Sequence, residues 1–311
     1  DSETGKTIPY EGAGFEIYNA DGEKMTMMYS YPSPTAIDVF YTNSEGYLIT
    51  PEVLPYGEYS LVEVQAPYGY VLDKTPVSFS VSSENAEEEN SLTIVKVEKQ
   101  NTAQKGKISV HKTGDIFTSV ATASSAYTNE NGEMIVNPTT YTPVFANGDL
   151  SGAVFQITAK EDIVTLDGTI RAYAGDVVSE ITTDENGYAE TEPLYLGKYE
   201  VREIKAPYGY VLNNEPKDVE LTYAGQEFEV RDTVNTAFEN EYQSVRISLS
   251  KVMESDEQFG IYGNDYYTSV RFGLFAAEDI TAADGSVIPA DGLISEVSLD
   301  ENMTAKFDVQ I

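Results

Sequence analysis

Tyr59-Ser-Leu-Val-Glu63-Val-Gln-Ala-Pro67-Tyr-Gly69-Tyr-Val-Leu72 returns 140 residues later as Tyr199-Glu-Val-Arg-Glu203-Ile-Lys-Ala-Pro207-Tyr-Gly209-Tyr-Val-Leu212. Other landmarks keep nearly the same offset. Gly12-Ala-Gly-Phe15 matches Gly152-Ala-Val-Phe155, Thr42 to Gly46 matches Thr183 to Gly187, and Leu54 to Gly57 matches Leu194 to Gly197. A period this long marks a tandem array of domains, because solenoid units are much shorter. A third copy begins further on. Phe155 to Gly168 aligns with Phe272 to Gly285, and Thr183-Asp-Glu-Asn186 with Leu299-Asp-Glu-Asn302. The expected division is 1–102, 103–243 and 244–311. The first copy lacks its opening strand, the third is an N-terminal part, and neither end falls on a domain boundary. Residues 113–149 are a Ser/Thr/Ala-rich insertion in the second copy with no counterpart in the first.

The local pattern around these landmarks is β throughout. Ser60 to Val64, Val77 to Val81, Leu92 to Val97, Lys107 to Val110, Tyr199 to Ile204 and Val245 to Leu249 alternate or cluster β-branched and aromatic residues. Asp21-Gly22, Asn131-Gly132, Asp167-Gly168 and Asn186-Gly187 punctuate them as hairpin turns, which need a positive φ that Gly tolerates. Acidic Glu84 to Asn90 reads as a solvated loop. Many short strands with regular turns predict an all-β chain of β-sandwich domains.

Composition removes whole classes of chemistry. The 311 residues carry a net charge of −33, which disfavours nucleic acid and anionic membranes. There is no Cys and one His, His111, so disulfides, thiolate metal sites and His-rich centres are excluded. No cofactor is implied. No apolar run approaches the length of a membrane span, and polar Asp1 to Gly5 are not a signal peptide.

The two Glu-x-x-Ala-Pro-Tyr-Gly-Tyr elements, Glu63 to Tyr70 and Glu203 to Tyr210, carry a family signature. The chain resembles the CnaB/SpaA-like (prealbumin-like) domains of Gram-positive surface adhesins and pilins over nearly its whole length. The resemblance implies tandem CnaB-type β-sandwiches, two near-complete and one truncated. It also implies a self-formed isopeptide bond between a Lys on the first strand and an Asn on the last, assisted by the motif Glu. Carried over position by position, Lys112, Glu203 and Asn240 form the set in the second copy. Glu63 and Asn101 match in the first, whose lysine is expected just before Asp1. Lys251 matches in the third, whose other two positions would follow Ile311. Asn101 to Lys112 and Asn240 to Lys251 are both 11 residues, so one domain's last strand hands over to the next domain's first in each case.

The chemistry asks for these residue types. A lysine amine attacks only when neutral, and burial lowers its pKa. An amide is a poor electrophile, and a buried carboxylic acid can polarise its carbonyl and pass a proton to the leaving ammonia. Holding the partners in contact supplies a large effective concentration. The event happens once, so the chain is not expected to be an enzyme with turnover.

Other candidates carry blander readings. His111 alternates with Lys112 and points to solvent. Asp184 to Gly187 and Asp300 to Asn302 are hairpin turns lacking the full loop of a calcium site. Tyr68, Tyr70, Tyr208 and Tyr210 pack the turn after Ala-Pro, with a sugar-binding face as the rival reading. Val95 to Asn101 loosely matches the pilin motif, but Gln100 holds the polymerising lysine's place and Lys99 sits one residue early. The functional expectation is a structural stalk segment of a Gram-positive cell-surface or cell-wall protein. Its partners are neighbouring domains of the parent chain, and its anchor and signal peptide lie outside this sequence. The alternative is a module that binds a host protein or glycan through residues 113–149 or the tyrosine-rich turns.

Overall fold

The computed structural model describes residues 1–30, 32–84, 87–89, 92–252, 254, 256–260 and 270–310. Among these the regular structure is strand, apart from one 3-10 turn at Glu257–Phe259. In the first unit β1 (Gly14–Asn19), β2 (Phe40–Tyr41), β3 (Gly57–Gln65) and β4 (Val77–Val81) form one antiparallel sheet in the order β2-β1-β3-β4. The second unit opens with β5 (Lys105–Ala123) and β6 (Thr140–Asp149). It continues through β7 (Val154–Ala159), β8 (Val177–Thr182), β9 (Tyr188–Glu190), β10 (Gly197–Lys205), β11 (Lys217–Leu221) and β12 (Val230–Asn240). Its sheet β8-β7-β10-β11 repeats the order of the first unit. Against it lies a second layer in which β5 pairs antiparallel with β9 and parallel with β12.

Alternation decides which residues fill the space between the layers. On β5, Ile108, Val110 and Lys112 face inward and are fully buried, and on β10 so are Val201 and Glu203 beside Tyr199. Ile108, Val110, Phe155, Ile157, Tyr199, Val201 and Phe238 share one core. Two charged side chains thus sit at the end of apolar rows, placed there by register.

Residues 113–149 are a β-hairpin continuous with the opening strand. β5 runs 19 residues and pairs with β6 from Thr113↔Asp149 out to Ala123↔Thr140. Thr118, Val120 and Thr122, and Thr140, Thr142 and Val144, at every second position of the outer part, suit an extended ribbon. A smaller pair, Ala126–Thr128 with Met134–Val136, closes on Asn131-Gly132, where Gly132 has φ 82°. The other three expected turns also have positive φ at Gly22, Gly168 and Gly187.

The C-terminal strands are β13 (Ser244–Ser250), β14 (Arg271–Phe275), β15 (Leu293–Ser298) and β16 (Thr304–Gln310). β13 pairs with β16 and β14 with β15. The hairpin reaches them: the N–H groups of Ala283 and Asp284 donate to Phe117 and Thr118 carbonyls, the Val120 N–H donates to Ser286 Oγ, and Thr140 pairs with Leu293.

The expected strands recur inside these elements, with one trimmed: Leu92 to Val97 is regular only over Leu92–Ile94. The acidic stretch differs from a loop. Glu87–Glu89 pairs with Leu92–Ile94, while Asn85, Ala86 and Asn90 lie outside the described residues.

Candidate cross-linking site

The site in the second unit grows from a bulge. β7 and β10 keep Phe155 opposite Glu203, and the register shifts between Val154 and Phe155. β1 and β3 repeat this, with Phe15 opposite Glu63 and the shift between Gly14 and Phe15. A bulge re-aims the side chains beside it. After β10 the Ala-Pro-Tyr-Gly-Tyr turn brings the chain back, so that the Asn213 N–H donates to Glu203 Oε2 at 3.0 Å. In the first unit the Asp73 N–H donates to Glu63 Oε2, also at 3.0 Å.

Lys112, Glu203 and Asn240 meet inside the sandwich. The Lys112 amine donates to Asn240 Oδ1 at 2.5 Å and lies 3.4 Å from Glu203 Oε1. Asn240 Nδ2 donates to the same Glu203 Oε1 at 2.9 Å. Lys112 and Glu203 are fully buried, and Asn240 is 2% exposed. Phe155 and Phe238 place their rings about the amine, at 6.0 and 5.9 Å from centroid to Nζ. Burial pushes the Lys112 amine below its ordinary pKa, opposed by the Glu203 charge beside it. One carboxyl oxygen therefore lies close to both the Lys112 amine and the Asn240 amide nitrogen, while the other oxygen accepts a backbone N–H.

The first unit holds two of the three groups in the same frame. Asn101 Nδ2 donates to Glu63 Oε1 at 2.9 Å, to Oε2 at 2.7 Å and to the Val71 carbonyl at 3.1 Å. Burial raises the Glu63 pKa. No lysine amine joins them among the described residues. Lys99 is turned away: its amine bonds Asp73 at 2.6 Å and the Thr75 carbonyl at 2.8 Å, and its side chain is nearly buried. Lys251 follows β13 and is exposed, with none of the other site positions near it among the described residues.

The secondary candidates divide. His111 points outward, 2.8 Å from Asp149 and stacked on Tyr188. Asp184 accepts the Asn186 and Tyr188 N–H groups, and Asp300 those of Asn302 and Thr304, so both acidic stretches are turns. Of the four motif tyrosines, Tyr70 and Tyr210 pack inside. Tyr68 and Tyr208 do not, because the turn directs them outward; Tyr68 lies on Tyr223 and Tyr208 is wholly exposed. Sequence reasoning missed the backbone donors at Asp73 and Asn213. It also quoted Phe155 as a landmark without a role and did not single out Phe238, although both adjoin site residues across or along a strand.

A family model described as SpaA, prealbumin-like fold domain, matches residues 1–96 and 145–236. The trypsin-resistant surface T6 protein of Streptococcus pyogenes serotype M6 is 30% identical over 94 residues, which is 30% of this chain and 16% of that protein. Among solved structures the Bacillus anthracis TIE protein is similar over 99% of this chain and 42% of its own, with TM-score 0.52 and 22% identity. GBS52, the minor pilin of Streptococcus agalactiae, is matched over 76% of this chain and 85% of its own, with TM-score 0.25 and 17% identity. The chain thus spans well under two thirds of the first two.

Proposed function

The chain belongs to the SpaA family of prealbumin-like fold domains, and on that footing we propose that it is a stalk segment of a Gram-positive surface adhesin or pilus-related protein, stiffened by a self-formed bond between Lys112 and Asn240. The observation that carries the bond is the contact of three buried groups: amine to amide oxygen at 2.5 Å, and one Glu203 oxygen within 3.4 Å of both nitrogens. In the step, Lys112 Nζ attacks Asn240 Cγ, an Nζ proton passes to Glu203 Oε1, and that oxygen returns a proton to Nδ2, which leaves as ammonia. Glu203 ends as it began. The product is a secondary amide joining β5 to β12, with no water, metal or oxidant consumed. An extracellular setting on the cell surface or wall follows from the stalk reading and from the relative's description as a surface protein.

The intact mass of the denatured chain tests it. One lost ammonia lowers the mass by about 17 Da, and Lys112→Ala should restore it. A full mass in the parent chain removes the bond from the proposal and leaves the fold.

A second reading, a host-protein or glycan binder, has one observation in its favour. The outer end of the hairpin exposes Tyr127, Met134 and Val136. Against it stands the inner part of the same hairpin, which is bonded to the C-terminal strands.

A further inference from the structure

The loop Thr222–Glu229 of the second unit docks on the motif turn of the first. Gln226 bonds backbone groups of that turn. Its carbonyl accepts the Leu72 N–H at 2.9 Å, and its side-chain Oε1 accepts the Ala66 N–H at 2.9 Å. Tyr223 lies against the Tyr68 ring, 4.7 Å between centroids. Gln104, in the linker between units, is buried beneath this loop. Its Nε2 donates to the Gly225 and Phe228 carbonyls, both at 2.7 Å, and its Oε1 accepts the Ala224 N–H at 2.7 Å.

Every element of that seat recurs in the second unit. Ala66, Tyr68, Leu72 and Gln104 become Ala206, Tyr208, Leu212 and Gln243. The linker follows the same course. Val71 N–H to Thr102 carbonyl becomes Val211 N–H to Glu241 carbonyl, and Gln104 N–H to Gly69 carbonyl becomes Gln243 N–H to Gly209 carbonyl. The difference is cover. Among the described residues the N–H groups of Ala206 and Leu212 meet no acceptor, Gln243 is exposed where Gln104 is 1% exposed, and Tyr208 is wholly exposed. In the first junction the covering loop runs directly into β12, which pairs parallel with β5 from its first residues. β13 starts at the matching point past Gln243 and, among the described residues, pairs only with β16.

We propose that Ala206, Tyr208, Leu212 and Gln243 form a second seat for a loop of the Tyr223–Gln226 kind. A SpaA-like unit stacked beyond the second would present it, leading into a strand parallel to β13. The partner is defined by chemistry: a glutamine whose carbonyl and side-chain oxygen take two backbone N–H groups, and an aromatic ring for Tyr208. The proposal rests on the stalk reading only in stacking units end to end, and it does not depend on the Lys112–Asn240 bond.

The test is a titration of the isotope-labelled full chain with a synthetic peptide of the sequence of residues 221–240, followed by amide NMR. The Ala206 and Leu212 amide resonances should move and their hydrogen exchange should slow. A peptide carrying Gln226→Ala should bind roughly five- to tenfold more weakly, the loss expected for a hydrogen-bonding side chain worth about 1 kcal/mol. Unmoved Ala206 and Leu212 resonances overturn the proposal. So does an equal response to both peptides. The mass measurement above is unaffected by either result.

Discussion

Replacing Lys112 with methionine separates a covalent bond from a mere buried contact, because only the bond predicts a large loss of stability. The cross-link would join residues 128 apart. For a loop of that length the entropy removed from the unfolded chain is worth about 5 kcal/mol. At about 3 °C per kcal/mol for a domain of this size, Lys112→Met should lower the melting temperature of the second unit by roughly 15 °C. Without a bond, the same change takes an amine out of a dry core and fills its place with an apolar chain of similar length. Such exchanges are often neutral or stabilising, provided no charge is left behind. Glu203 is the charge in question, and the first unit shows how it is accommodated: Glu63, with Asn101 and no amine, keeps its hydrogen bonds while burial favours its protonated form. Calorimetry at pH 5 and pH 7, with the intact mass recorded on the same samples, is the assay. A variant melting within about 3 °C of the parent at pH 5, or above it, would refute the reasoning.

Two further outcomes follow from geometry. A Cβ at Gly114 would lie 2.5 Å from the Asn240 carbonyl oxygen and 2.7 Å from Leu150. Gly114→Ala should therefore push β5 from β12, destabilise the second unit by about 1–3 kcal/mol, and leave part of the protein at full mass. Near Lys99 the Asp73 carboxyl is drawn down to about 2 by the amine beside it. Because the folded pKa is depressed, that pairing contributes fully above about pH 4 and is lost as pH falls through about 2. With Asp73 half exposed, Lys99→Met should cost no more than about 1 kcal/mol at pH 7, and that cost should shrink as pH falls through about 2, read from denaturant midpoints.

Much of the fold was legible because register does the positioning. Once Tyr199 to Ile204 is a strand with Tyr199 and Val201 inside, alternation puts Glu203 in the core. The same count on β5 buries Lys112 and turns His111 out. The site was legible through the repeat and the family resemblance, since nothing in the composition singles out one lysine. What was not legible depends on return paths of the chain. The Asn213 N–H reaches Glu203 only after a turn of ten residues, and any residue but proline supplies an N–H. Residues 113–149 carried β-branched residues and pair with one another, but the groups they dock on, Ala283, Ser286 and Leu293, lie far along the sequence. Gln226 looked ordinary because its counterpart in the first copy falls in the acidic stretch, where no matching residue marks it.

The two attachments of the C-terminal strands to the second unit have a mechanical consequence. A module hung on a single linker can swivel about the peptide bonds of that linker. Here the chain passes through Glu241 to Gln243, and the hairpin independently grips Ala283, Asp284, Ser286 and Leu293. Two anchors set apart from each other oppose rotation about the long axis. A twist applied at one end is thereby carried through the joint as torque.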